Sequence, residues 1–204
     1  VDGGHAYACF CTDEELARSR AAQVAAGSAP RYSGRCRNLP DDARRARLAA
    51  GEAATLRFRV PDAGVTVFDD LVHCVREFPN AAIGDFVLRR ADGSAAFFFS
   101  NAVDDASSGV THVLRGDDHL SNTPRQLLLL AALGLPAPRY GHLALLTDMQ
   151  GAPLSKRAGA PSLGALREQG YLPQALVNLL FRLGHSSPFT QFAPLASLAA
   201  HFDM

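Results

Sequence analysis

Residues 111–130 read THVLRGDDHLSNTPRQLLLL and contain the clearest strand and helix signals in the chain. The apolar run 110–114 predicts a buried parallel strand. After a polar corner, a helix begins with Thr123 as its cap and Pro124 where a missing N–H costs nothing, and Gly134 ends it. A strand, a charged corner and a helix are typical of the carboxyl edge of an open α/β sheet, where ligand groups gather.

The polar corner is the first candidate site. It consists of Arg115, Gly116, Asp117, Asp118 and His119. Taken by itself, the corner is equally compatible with an ordinary α/β turn that carries surface charges.

The bulk composition excludes several classes of protein. The 204 residues suit one large domain or two small ones, and 48% hydrophobic with 20% charged residues is typical of a globular chain. The formal net charge of +0 argues against indiscriminate binding to polyanions, although a local basic patch remains possible. No 20-residue apolar span and no signal peptide are present, so we expect a cytoplasmic protein that does not cross a membrane.

Three of the four cysteines lie close together in the sequence and suit a metal better than a secreted disulfide framework. Cys9, Cys11 and Cys36 supply three thiols, and tetrahedral zinc needs a fourth ligand. Tyr32 is the nearest candidate, and His5 or solvent are the alternatives. Three buried or incidental cysteines would also explain the pattern.

Local patterns predict the remaining elements. Thr12 and Glu15 form a capping box for a helix over 13–26. We expect a β-hairpin from the alternating runs 55–60 and 65–68, and a second hairpin from 86–89 and 95–99 around an Asp-Gly turn. Further predictions are a helix or loop at 41–52, a loop or short helix at 100–105, a strand near 142–146, and helices at 162–169, 173–183 and 194–202.

A glycine-bounded loop at 151–159 is the second candidate site. It contains Ser155, Lys156 and Arg157, and Lys156 is the single lysine among 20 basic residues. A flexible backbone with two cations suits charge stabilisation on a polyphosphate, although the spacing is not that of a P-loop. A solvated basic loop is the alternative.

Taken together, these stretches resemble bacterial-type glutamyl-tRNA synthetases, which are class I aminoacyl-tRNA synthetases. The motifs that occur in that family's order and at close to its spacing are residues 8–11, 30–36, 67–70, 88–93, 103–105, 111–126 and 154–157. The resemblance runs nearly end to end.

The resemblance implies an α/β fold with three segments. Residues 1–85 are expected to form a zinc-bearing α+β insertion that grips the tRNA acceptor end. Residues 86–150 are expected to form the second half of a Rossmann-type catalytic core. Residues 151–204 would carry the signature loop and the start of a helical stem-contact region.

The resemblance also implies roles for single residues. Cys9, Cys11, Tyr32 and Cys36 fit the version of the family's structural zinc site that uses a tyrosine. Arg115 matches the arginine that pairs with the glutamate substrate, and a bidentate guanidinium fork suits a carboxylate. The remaining expected roles are catalysis by Lys156 and Ser155, ATP binding by Lys156 and Arg157, glutamate contact by Phe97, and acceptor-stem contact by Arg31, Arg35 and Arg37, for which a solvated basic face is the alternative.

Three departures from the family pattern stand out. Pro153 replaces the lysine that normally begins the signature loop, and Phe97 replaces a tyrosine that touches the amino acid. The amino-terminal half of the Rossmann domain, with its HIGH-type histidines, and the anticodon-binding domain have no counterpart in these residues. We therefore expect the isolated 204 residues to be inactive.

The function that the resemblance implies is glutamate–tRNA ligation. The expected partners are glutamate, ATP with Mg²⁺ and the acceptor end of tRNA(Glu), and the expected state is a monomer with a structural zinc ion. Two alternatives remain open. One is the paralogue that makes glutamyl-queuosine on tRNA(Asp), and the other is a non-catalytic tRNA-binding or regulatory remnant.

Overall fold

The computed structural model describes residues 3–154, 162–186 and 188–203. The strands are β1 (Ala6–Cys9), β2 (Thr55–Phe58), β3 (Val65–Asp70), β4 (Cys74–Pro79), β5 (Phe86–Arg89), β6 (His112–Gly116) and β7 (Arg139–Leu143). The α-helices are α1 (Asp13–Ala25), α2 (Asp41–Ala49), α3 (Asn80–Ile83), α4 (Phe97–Ser107), α5 (Thr123–Leu133), α6 (Leu163–Glu168), α7 (Pro173–Gly184) and α8 (Leu195–Ala200). A 3-10 helix, Asp117–Asn122, joins β6 to α5.

These strands form two sheets. One sheet has the order β1-β2-β5 and is antiparallel throughout. The other has the order β4-β3-β7-β6, in which β3, β7 and β6 run parallel and β4 runs antiparallel to β3. The predicted parallel strand is confirmed as β6, but it is less buried than expected, since Leu114 is 45% exposed.

The first predicted hairpin is wrong, and the second is present only as its Asp-Gly turn and a single bridge. β2 pairs with β1 and β5, whereas β3 pairs with β4 and β7, so the two runs that flank the Pro61–Gly64 turn belong to different sheets. In the second case only Arg89 and Ala95 form a bridge, and the aromatic run after them begins α4. The predicted loop or short helix at 100–105 is the body of that helix.

Several of the predicted helices are confirmed. The capping box of α1 is present with both reciprocal hydrogen bonds, and α5 ends at Gly134, which adopts the left-handed conformation that glycine tolerates. The three carboxy-terminal helices also lie where the sequence predicts them. No helix among the described residues is long and apolar enough to span a bilayer.

The main core joins the two sheets through helices α4 and α5. Its buried side chains come from β2 and β5 of the antiparallel sheet, from the segment after β2 and from three helices, namely Phe58, Val60, Ile83, Phe86, Leu88, Ala102, Leu129 and Leu130. Phe78 of β4 packs against it from the second sheet. A second, smaller cluster is formed by Tyr7, Cys9 and Cys36. The predicted division at residue 85 does not follow the sheets, because β5 pairs with β2 and β7 pairs with β3. The functional assignment of the segments 1–85, 86–150 and 151–204 stays a prediction.

Candidate functional site

Three neighbouring parallel strands each place a polar side chain at their carboxyl ends. Asp70 is the last residue of β3, His142 lies on β7, and Arg115 pairs in register with His142 from β6. Nδ1 of His142 lies 2.5 Å from Oδ2 of Asp70, and both side chains are fully buried. Nε of Arg115 donates to Nε2 of His142 at 3.1 Å. The corner that the sequence singles out therefore rests on an Asp–His–Arg array, in which the Asp70 and His142 side chains are buried and Arg115 is half-buried.

The guanidinium of Arg115 is half-buried and held mainly by neutral groups. Its Nη2 donates to Oγ1 of Thr123 at 2.7 Å and to Oε1 of Gln126 at 2.8 Å. Its carbon lies 5.2 Å from the ring centroid of Tyr140. Burial lowers the pKa of Arg115, and in the part of the chain that the structure describes no carboxylate forms an ion pair with it. A positive charge without a direct counter-ion is thus held at the sheet edge.

Asp70 is fixed as a carboxylate. Its Oδ1 accepts backbone N–H groups of Val72 and His73 at 3.0 Å each and of His142 at 3.2 Å. Burial alone would raise the pKa of Asp70, but the hydrogen bonds from the His142 ring and these amides lower it below its ordinary value.

Thr123 does not have the predicted role. Asn122 is the residue that precedes α5, no side chain caps that helix, and the Thr123 hydroxyl instead contacts Arg115 and His142. Gln126, one turn further on, donates to Oδ1 of Asn101 on α4 at 2.6 Å. Sequence reasoning assigned no role to Asp70, His142, Gln126 or Asn101. A polar residue inside an apolar strand was the available signal for His142.

The rest of the polar corner forms a second set of contacts. Asp117 lies 2.7 Å from Nε2 of His73, and Asn122 lies 2.9 Å from Nδ1 of His119. The ring of Phe97 is 5.9 Å from that of His119 and is half exposed. Phe97 precedes Asn101 by one helical turn, so both lie on the face of α4 that points toward the array.

The cysteine region forms a compact donor cluster. The sulfur atoms of Cys9, Cys11 and Cys36 all lie within 4.8 Å of one another, and those of Cys11 and Cys36 are 3.7 Å apart. The hydroxyl oxygen of Tyr32 is 3.3 Å from the sulfur of Cys9 and 3.5 Å from that of Cys11. His5, the alternative ligand, is exposed and lies outside this group.

A buried arginine accompanies these donors. Arg57 on β2 is 6% exposed, its guanidinium carbon lies 4.0 Å from the ring centroid of Tyr32, and its Nε has no hydrogen-bond partner among the described atoms. Burial raises the pKa of the Cys9 thiol, but hydrogen bonds from Tyr32 and the Cys11 backbone, together with Arg57, lower it to about 7. Burial raises the pKa of Cys11 to about 11 and also raises that of Tyr32.

The three arginines predicted to contact tRNA differ in their exposure and in how many contacts they make within the protein. Arg37 is mostly buried, and it pairs with Asp85 and Asp62 and donates to the Val60 carbonyl. Arg31 is exposed, donates to the Ala81 carbonyl, and is held through its backbone by Gln23. Arg35 is exposed and pairs with Glu15.

The predicted residues of the signature loop, Ser155, Lys156 and Arg157, lie outside the described residues. The flanking residues are described, and Leu154 N–H donates to the Leu146 carbonyl at 2.8 Å, which places the start of that loop beside the segment that follows β7.

Comparison with known proteins assigns the class. Residues 1–198 match the family described as tRNA synthetases class I (E and Q), catalytic domain, and the chain belongs to this family.

Within this family, the individual proteins that the chain resembles are glutamate–tRNA ligases. The chain is 58% identical over 199 residues to glutamate–tRNA ligase 2 of Nitrosococcus oceani and 56% identical over 201 residues to glutamate–tRNA ligase 1 of Methylococcus capsulatus. Each match covers 98% of this chain, which spans 42% and 43% of those proteins. The crystal structure of the glutamate–tRNA synthetase of Elizabethkingia anophelis matches with a TM-score of 0.84 at 28% identity, covering 98% of this chain and 46% of that one.

Proposed function

We propose that this chain is part of a glutamate–tRNA ligase and that Arg115 receives a carboxylate of the glutamate substrate. The observation that carries the proposal is the half-buried Arg115 guanidinium, which has no direct carboxylate partner among the described residues. A cation that has lost part of its hydration gains most from an anionic ligand. Family membership and the glutamate-specific relatives support the same substrate.

The proposed reaction has two steps. A carboxylate oxygen of glutamate attacks the α-phosphorus of ATP, the bond to the bridging oxygen breaks, and glutamyl-adenylate and pyrophosphate form. The terminal ribose hydroxyl of tRNA then attacks the acyl carbon and releases AMP. Alignment and neutralisation of phosphate charge supply most of the rate. We assign ATP binding, with Mg²⁺, to Lys156 and Arg157, with Ser155 positioning their loop.

We also propose that Cys9, Cys11, Cys36 and Tyr32 hold a structural zinc ion. With Zn–S of about 2.3 Å and Zn–O of about 2.0 Å, tetrahedral geometry separates two sulfurs by about 3.8 Å and an oxygen from a sulfur by about 3.5 Å. The distances of 3.7 Å, 3.3 Å and 3.5 Å fit these values. Three thiolates and a phenolate around Zn²⁺ carry net negative charge, which the buried Arg57 offsets.

Exposed arginines beside this cluster would contact the acceptor end of tRNA. Arg31 and Arg35 are the better candidates, because the donors of Arg37 are already taken by carboxylates and a carbonyl. Phe97 would line the amino-acid pocket without contributing a hydroxyl.

Glutamate-dependent ATP–pyrophosphate exchange tests the proposal in the synthetase that carries these residues. Replacing Arg115 by Lys keeps the charge but loses the contacts of the guanidinium, so we expect the KM for glutamate to rise about tenfold or more. Arg139→Lys is the matched control, because Arg139 is exposed on the neighbouring strand. An unchanged KM in the Arg115 variant would contradict the assignment.

Charging assays separate the alternatives. Glutamylation of unmodified tRNA(Glu) supports the ligase, and transfer to queuosine in tRNA(Asp) would instead indicate the paralogue. Binding of tRNA without any glutamate-dependent exchange would indicate a non-catalytic remnant.

A further inference from the structure

The guanidinium of Arg115 has fewer free donors than a substrate clamp would ordinarily have. An arginine carries five N–H bonds. The one on Nε points to His142, and the two on Nη2 point to Thr123 and Gln126. Across the described ranges, only the two N–H bonds of Nη1 have no partner. The bidentate fork that the sequence predicts for the substrate is therefore used largely inside the protein.

The protonation state of His142 follows from its three polar neighbours. The Nε–H of Arg115 is always a donor, so Nε2 of His142 accepts and carries no hydrogen. The Thr123 hydroxyl, 3.0 Å from the same Nε2, accepts from Arg115 and keeps its own hydrogen to donate to that nitrogen. The Asp70 carboxylate at 2.5 Å requires a donor, so the ring hydrogen sits on Nδ1. The imidazole is thus neutral, with the negative charge of Asp70 on one side and the positive charge of Arg115 on the other.

We infer that the buried Asp70–His142 pair is a positioning device that orients Arg115 and leaves its Nη1 as the nitrogen that meets the substrate carboxylate. The inference rests on the proposed function and adds two residues from other strands to it. Asp70 selects the tautomer, His142 accepts from Nε, and Thr123 with Gln126 fixes Nη2. None of these four side chains needs to touch the substrate.

Asp70→Asn tests the inference because it keeps the shape and removes the charge. The new amide can donate to Nδ1, which moves the ring hydrogen to Nε2 and sets two donors, Nε2–H and the Nε–H of Arg115, against each other. In the active synthetase we expect the KM for glutamate to rise about tenfold or more, with the KM for ATP unchanged. Asp69→Asn is the matched control, since Asp69 is the exposed neighbour on the same strand.

A second measurement covers the case in which Asp70→Asn does not fold. Nitrogen NMR of the imidazole rings in the 204-residue chain reports which nitrogen of each histidine carries hydrogen, and the signal of His142 is assigned by its loss in His142→Gln. We expect hydrogen on Nδ1 alone. Hydrogen on Nε2, or on both nitrogens, at neutral pH overturns the inference whatever the activity.

The outcomes separate this inference from the function on which it rests. If the wild type catalyses ATP–pyrophosphate exchange and Asp70→Asn has a raised KM for glutamate, the result supports both the proposed function and this inference. Exchange by the wild type with an unchanged glutamate KM in the folded variant overturns the inference alone. A wild-type synthetase without glutamate-dependent exchange overturns both.

Discussion

A carboxylate that is buried and well hydrogen-bonded makes a fold sensitive to acid. Asp70 has a lowered pKa, so the folded chain binds its proton less tightly than the unfolded chain does. As the pH falls below the ordinary carboxyl value of 3.8, the unfolded state takes up the proton first. The stability that Asp70 contributes is therefore full above that value and is lost as the pH falls through its lowered pKa.

We expect Asp70→Asn to flatten the acid limb of the stability curve. The free energy of unfolding, measured by urea titration between neutral pH and pH values below 3.8, should fall less steeply with acid in the variant than in the wild type. Asp69→Asn should keep the wild-type slope. Parallel acid limbs for Asp70→Asn and the wild type would contradict this account.

Substitution of single cysteines tests which of them belong to the proposed zinc site. We expect Cys36→Ser to weaken zinc binding at least tenfold, because it replaces a thiolate by a poor ligand. Cys74→Ser should bind like the wild type, since Cys74 is exposed on β4 and outside the cluster. Competition with a chromophoric chelator gives both affinities. Equal affinities in the two variants would remove Cys36 from the site.

At the scale of elements, local chemistry predicts helices better than strand pairing. The capping box of α1 and the left-handed Gly134 after α5 are signals contained within a few residues. The runs around Pro61–Gly64 also alternate correctly, but a turn signal does not decide whether its flanking strands pair. β3 instead turns back on β4, and β2 finds β1, which lies far away in the sequence.

The predicted strand at 95–99 became the start of α4 for a tertiary reason. Three consecutive phenylalanines favour a strand by propensity. In the structure Phe98 and Phe99 pack against the core that α4 shares with α5, and this burial overrides the local preference.

The capping box should stabilise the beginning of helix α1. Thr12→Ala removes the hydroxyl that accepts from the Glu15 amide, which typically costs about 1 kcal/mol. We expect amide hydrogen exchange across α1 to become about fivefold faster. Thr12→Ser, which retains the hydroxyl, should exchange like the wild type, and so should the amides of α5 in both variants.

Across the fold, helix α5 links the core to the candidate site. Its apolar side includes Leu129 and Leu130 in the main core, and its first turns supply Thr123 and Gln126 to Arg115. These four residues follow the spacing of one helix face and are all buried, so packing along the carboxyl-terminal half of that face sets the position of the polar contacts at its amino-terminal end.

We expect Leu129→Ala to lower the free energy of unfolding by about 2–5 kcal/mol, because it opens a cavity in the core. Leu133→Ala is the control on the same helix, and its cost should stay below about 1 kcal/mol since Leu133 is 46% exposed. Urea unfolding of both variants measures the difference. Similar losses would show that α5 is not anchored through Leu129.

Local sequence patterns single out some residues of the candidate sites and not others, and the roles of those residues stay predictions. Arg115, the three clustered cysteines and Tyr32 stand in recognisable local patterns. Asp70 and His142 are 72 positions apart in the chain, and only the pairing of β3 with β7 brings them together. His142 stands out as a polar residue in an apolar strand, but neither local pattern indicates that it meets Asp70.

Of the donors of Arg115, only those on Nη1 have no partner among the described residues, and this bears on how the proposed site would distinguish glutamate from glutamine. The Thr123 hydroxyl, the Gln126 carbonyl and the His142 nitrogen already receive hydrogen bonds from Arg115. If Arg115 receives the side-chain carboxylate under the proposed function, either oxygen of glutamate can accept from Nη1, whereas glutamine offers one oxygen and an amide nitrogen that only donates. Glutamine has almost the same size as glutamate, so under the proposed function we expect discrimination against it to come from the lost charge and the unmatched hydrogen bond and not from size.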